Sequence, residues 1–262
     1  LPPINITSPN FWSYIIILII IYFILSCFSL LDKNILFMKN KNINFKSIKS
    51  IYLIGIIIIG ILLVNFILSP VFNANGYANR IVVDETKDFT SNIEKVDFNK
   101  VPLLDKISSQ KLGDRVMGQM TDLVSQFSVS SLYTQINYND SIIRVTPLEY
   151  ADAFKWLTNR KNGIVGYITV NSVNGESKLV KLDKGMKYST SALFNEKLER
   201  KLRFEYPTTN FGNISFEIDN EGKPYYIVTT LDYTAVGLKA KVSGVIIFDP
   251  ITGESKKYSK EE

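Results

Sequence analysis

Histidine is absent from this chain, and cysteine occurs once, at Cys27. Without histidine there is no Ser-His-Asp triad, no imidazole metal ligand, and none of the commonest general base. A single cysteine provides neither Cys–His catalysis nor a cysteine metal cluster, and no disulfide can form within the chain. No glycine-rich phosphate loop follows a strand. Charge is scarce in one region. Before residue 71, Lys33, Lys39, Lys41, Lys46 and Lys49 face a single acid, Asp32. The remainder carries 25 basic and 24 acidic residues. The formal charge of +5 and the pI near 9.0 therefore belong to the N-terminal lysines. No basic stripe interleaved with aromatics appears after them, so no nucleic-acid partner is expected.

Two long apolar runs flank those lysines, at about 11–31 and 50–69. Each is long enough to cross a hydrocarbon core as a helix, which takes about 20 residues. The expectation is a transmembrane helical hairpin over 1–70. Lysine-rich short loops stay on the cytoplasmic side, which directs the loop inward, toward anionic lipid headgroups, and the rest of the chain outward. Ile24-Leu25-Ser26-Cys27 loosely matches a lipobox, but no basic segment precedes the run, so Cys27 reads as an apolar residue of the first helix. The chain begins at Leu1 rather than Met, and is read as a piece of a longer protein.

Residues 71–104 read as a tether or docking arm, with Ile81-Val82-Val83 as a candidate strand. Residues 105–262 read as an extracytoplasmic α+β region with antiparallel hairpins, divisible into candidate related halves, 105–185 and 186–262. Asp105 to Gln126 has helical spacing. Ser128 to Val145 alternates as strands about an Asn139-Asp140 turn. Thr146-Pro147-Leu148-Glu149 matches a capping box with proline at the first helical position, predicting a helix that ends at Asn162-Gly163. A hairpin, Val165–Val170 with Lys178–Leu182, turns at Asn174-Gly175. Ser191 to Arg203 reads as a helix. Two further hairpins join Ile214–Ile218 to Pro224–Thr230 and Gly244–Phe248 to Lys256–Tyr258. The stretch Tyr167–Lys178 parallels Val245–Lys256 as a weak internal repeat.

Gly244-Val-Ile-Ile-Phe-Asp249-Pro-Ile-Thr-Gly253-Glu254, preceded by Phe216-Glu-Ile-Asp219-Asn-Glu-Gly222, resembles the closing hairpins of PepSY-type domains. The resemblance covers about the last quarter of the chain. It implies a small extracytoplasmic α+β module that binds or restrains other proteins. More broadly, Tyr133-Thr-Gln-Ile-Asn137-Tyr138, Arg144-Val-Thr-Pro-Leu-Glu-Tyr150 and Arg203-Phe-Glu-Tyr-Pro207 resemble a family of uncharacterised multi-spanning membrane proteins of Gram-positive bacteria.

Chemical candidates are few. Ser108-Ser109-Gln110-Lys111 matches S-x-x-K, the spacing of a Ser–Lys dyad, without the Ser-Asp-Asn and Lys-Thr-Gly partners of penicillin-binding proteins. Asp152, Glu176, Asp219 and Glu221 are the acids available for glycoside hydrolysis. Asp219-Asn-Glu221-Gly222 lacks the spaced ligands of a calcium loop. No catalytic, cofactor-binding or metal-ligating residue is assigned. Trp156, Phe211, Tyr225 and Tyr226 are candidate surface anchors. The expected function is a non-catalytic binding, regulatory or scaffold protein of the bacterial cell envelope. Its expected partners are membrane lipids and another envelope or membrane protein. The alternatives are an envelope hydrolase using the Ser–Lys dyad and a subunit of a transporter complex.

Overall fold

A computed structural model describes residues 1–36, 45–78, 91, 97 and 100–260, with the side chains of 26–36, 45–48, 50 and 51 outside the description. Tertiary contacts divide the chain into two units. One holds Leu1–Asp84, Thr208–Asn210 and Asp232–Lys241. The other holds Glu85–Pro207, Phe211–Leu231 and Val242–Glu262.

The first unit contains helices α1 (Pro9–Leu36), α2 (Phe45–Ile67) and α3 (Ala74–Ala78). Polar atoms tie its sequence-distant pieces together. The Gly237 amide donates to the Thr7 carbonyl at 3.1 Å, and Asn65 Nδ2 donates to the Val236 carbonyl at 3.2 Å. The Lys239 ammonium lies over the Tyr77 ring and donates to the Gly76 carbonyl.

The expected pair of transmembrane helices is corrected here. Among the described residues, no helix is long and apolar enough to cross a membrane. The side chains described on α1 and α2 include the stretches Pro9–Leu25 and Tyr52–Ile67. Apolar side chains on both stretches are nonetheless exposed, including Ile17, Leu25, Ile56 and Leu62. The inward loop with Lys39 and Lys41, and the candidate strand Ile81–Val83, lie outside the described residues.

The second unit is an α+β fold with antiparallel sheets. Helix α4 (Lys106–Gly118) precedes β1 (Phe127–Val129), β2 (Thr134–Tyr138) and β3 (Ser141–Tyr150). Helix α5 (Ala153–Asn159) leads to β4 (Ile164–Asn171) and β5 (Ser177–Met186). After a 3-10 turn at Phe194–Glu196 come α6 (Leu198–Glu205), β6 (Asn210–Ile218), β7 (Pro224–Tyr233), β8 (Ala240–Phe248) and β9 (Ser255–Ser259). One sheet has the order β1-β3-β4-β5 with β2 also on β3, and the other runs β6-β7-β8-β9.

The sequence reading needs three changes in this unit. Thr146-Pro147-Leu148-Glu149 does not start a helix, because it lies within β3. Val145 and Leu148 are fully buried there, and Thr146 and Pro147 sit opposite Ile168 and Tyr167 of β4. Proline is tolerated because β3 changes partner at this point: β1 ends its pairing at Leu148 and β2 begins at Val145. Thr146 Oγ1 donates to the Ser130 carbonyl at 2.9 Å instead of capping. The cap is Asp152, which accepts from the Lys155 amide at 2.9 Å. Next, α4 stops at Gly118 instead of Gln126, and turns occupy the chain to Phe127. Finally, the helix expected from Ser191 is a 3-10 turn followed by α6 from Leu198.

The β4–β5 and β8–β9 turns share one construction. Asn171 Oδ1 accepts from the amides of Val173 and Asn174 at 2.8 and 3.1 Å. Asp249 Oδ1 accepts from Ile251 and Thr252 at 2.8 and 3.1 Å. Four residues on, Gly175 and Gly253 have φ of 78° and 80°, in the region that favours glycine.

A single apolar core joins both sheets. Tyr167 of β4, Phe216 of β6 and Tyr226 of β7 form a chain of ring contacts, at 5.9 and 5.4 Å between centroids.

Candidate functional site

An open cleft of about 830 Å³ lies within the second unit. One wall is the face of the first sheet, carrying Ile143 of β3, Tyr167 and Thr169 of β4, and Lys178 and Val180 of β5. The opposite wall is the β6–β7 turn, with Glu221, Gly222, Lys223 and Pro224. The β2–β3 turn adds Tyr138 and Asn139. Both residues of that turn, Asn139 and Asp140, have positive φ, at 49° and 59°. This is the pattern of a two-residue hairpin connection whose backbone matches strand twist.

Two contacts hold the turn wall in place. Tyr167 is almost fully buried, and its hydroxyl donates to the Gly222 carbonyl at 2.8 Å. Burial, with Tyr138 and Asp219 nearby, pushes the Tyr167 phenol up to about 12, so the hydroxyl remains a donor at physiological pH. Lys223 Nζ meets Asp249 Oδ2 at 2.8 Å. Burial alone would raise Asp249, but Lys223 and the amides of Thr252 and Ile251 together hold it below the usual carboxylate range. Asp249 raises Lys223 in turn, chiefly through their hydrogen bond.

Further charged side chains border the cleft. Lys178, Lys181 and Lys184 are exposed on β5, and none has a carboxylate within ion-pair distance among the described residues. Glu176, Asp183 and Glu221 also line the cleft. The chemistry on offer is an apolar floor with charged rims.

The acids singled out from sequence do not converge on one point. Asp152 caps α5. Asp219 accepts from the Glu221 and Lys223 amides at 3.0 and 2.8 Å, shaping its own turn. Only Glu176 and Glu221 of the four reach the cleft. Among the described residues, no group of three or more candidate ligands could hold a metal ion. Ser109 is fully buried, and its hydroxyl donates to the Asp105 carbonyl at 2.8 Å. Lys111 is exposed, and no hydrogen bond joins it to Ser108 or Ser109 among the described residues. Asp105 caps this helix start, accepting from the Ser108 amide at 2.7 Å, and that bond above all lowers its pKa.

The proposed surface anchors also divide. Tyr226 is fully buried and Trp156 nearly so, which makes both core residues. Trp156 Nε1 donates to Glu196 Oε2 at 2.9 Å, and Arg160 closes on Glu196 Oε1 at 2.9 Å while stacking over the indole. Phe211 is half-buried beneath Arg203, and Tyr225 is half-buried beneath Lys223.

Sequence reasoning missed the cleft because its walls come from segments separated by about forty residues. The local trace of it was the lysine spacing of β5. No protein-family model, curated protein or solved structure matches this chain.

Proposed function

We propose that the chain is a non-catalytic binding, regulatory or scaffold protein of the bacterial cell envelope, and that it holds a partner protein in the cleft of its second unit. One observation carries this reading. The cleft is large, floored by apolar and tyrosine side chains and rimmed with charged ones, among them Lys178, Lys181 and Lys184. Sites that bind polypeptide combine an apolar centre with a polar rim in this way. The exposed apolar side chains of α1 and α2 support contact with lipid, since contiguous apolar surface of this kind marks interaction sites.

The test places Lys184→Cys, or Asp152→Cys as a control away from the cleft, in a Cys27→Ser background. Intact cells are treated with a membrane-impermeant maleimide carrying a photo-crosslinker. The expected result is labelling at both positions without permeabilisation, and a discrete protein adduct from position 184 only. Identical adduct patterns from both positions would overturn the cleft as the binding site. Labelling only after permeabilisation would overturn the outward placement.

A further inference from the structure

The first sheet ends at β5, whose outer side pairs with no other described strand. The Asn171 amide donates to the Glu176 carbonyl at 2.8 Å, which makes Asn171–Glu176 a hydrogen-bonded pair. Antiparallel pairs alternate along the ladder, and the register runs Val170 to Ser177, Thr169 to Lys178, Ile168 to Leu179 and Tyr167 to Val180. Lys178 and Val180 therefore direct their backbone groups to β4. Ser177, Leu179 and Lys181 direct theirs outward, as a ready ladder for another strand.

That edge borders the cleft. Lys178 and Val180 lie on the sheet face that forms its wall, and Lys181, Leu182 and Lys184 continue the same border. A strand laid along β5 would project every second side chain over this face, beside Lys178 and Val180. β5 itself carries three lysines against one acid, Asp183. Edge lysines repel a like strand and guard against self-pairing. The same charges attract an acidic strand, so a single device both excludes and selects.

We propose that β5 is a docking edge, which takes an extended, acidic polypeptide segment of a partner protein by strand addition. Backbone bonds to Ser177, Leu179 and Lys181 supply registry. On the cleft face a carboxylate of the partner meets Lys178 and the next side chain on that face, an apolar one, enters against Val180 and Tyr167, while further carboxylates meet Lys181 and Lys184. The inference rests on the binding reading above and adds the conformation and charge of the ligand.

The probe is a capped peptide of about eight residues, within the length range of ordinary strands, with Glu and Val in successive pairs so that each face of the strand carries both. A Lys and Val peptide of the same length is the comparison. With the full chain, the acidic peptide is expected to bind at least about tenfold tighter than the basic one, with the difference shrinking in high salt. Binding should slow amide exchange at Ser177, Leu179 and Lys181. The triple variant K178E/K181E/K184E should reverse the preference, which a purely structural role for these lysines would not do. Binding of the acidic peptide without protection of those amides would overturn strand addition while leaving the cleft a binding site. Equal binding of both peptides, or none, would overturn the proposal outright. Neither result bears on the crosslinking outcome at position 184.

Discussion

Asp249 performs two tasks with one carboxylate, and its counterpart in the other hairpin separates them. Oδ1 organises the β8–β9 turn, while Oδ2 meets Lys223. Asn171 organises the β4–β5 turn with the same backbone bonds and no charge. Asp249→Asn is therefore expected to keep the turn and lose the ion pair. The Lys223 side chain is 44% exposed, so solvent screening holds the cost to about 1 kcal/mol. The folded pKa of Asp249 is depressed. Its contribution is then fully present above the unfolded value of about 3.9 and is lost as pH falls through the lower folded value. Urea titrations should show wild type more stable than the variant at pH 7, with the gap closing below that value. This pair of turns was legible in the sequence, because an Asx residue four positions before a glycine specifies the geometry locally. The ion pair was not, because Lys223 and Asp249 lie on different hairpins.

At the level of elements, local signals competed with pairing, and the strand won where burial was greatest. The capping-box pattern at Thr146 is chemically sound, but it lies within β3, between Val145 and the strand's end, with Leu148 inside it. As part of β3, both are fully buried. The helix moves to the next competent cap, Asp152. Once placed there, α5 is held by the clasp of Trp156 and Arg160 on Glu196, a contact across 40 residues that no local pattern announces. Glu196→Ala would leave the buried indole N–H without its acceptor. The expected cost is about 2 kcal/mol, seen as a lower denaturation midpoint with an unchanged denaturant slope. Glu196→Gln should recover part of that loss, since its amide oxygen can still accept from the indole. Elsewhere, the hairpins at Asn139-Asp140, Asn174-Gly175 and Asn220-Glu221-Gly222 were readable because turn chemistry and strand alternation agree there.

At the scale of the whole molecule, the apolar residues of the second unit form one core although its strands form two sheets. Tyr167, Phe216 and Tyr226 join the sheets through their rings, so losing the middle ring should weaken both. Phe216→Ala is expected to cost about 3–5 kcal/mol. Amide exchange should accelerate together in β4 and β8, and faster exchange confined to β6 and β7 would contradict a shared core. The α+β character of this unit was legible because alternation and helical spacing each occur in runs long enough to declare themselves. Sheet order and the cleft were not, because they depend on which strands meet. In the first unit, the spans expected from hydropathy were not found among the described residues.

The strand order of the second sheet has a consequence for how quickly it can form. Every neighbour in β6-β7-β8-β9 is also the next strand in sequence. Each pairing therefore closes only a short loop, and the entropy lost at each step is small. The first sheet must bring β4 back to β3 across α5 and seat both β1 and β2 on one side of β3. Low sequence separation between partners favours rapid assembly. The last four strands are thus the part of this chain best able to zip up on its own timescale and to wait for the first sheet to dock.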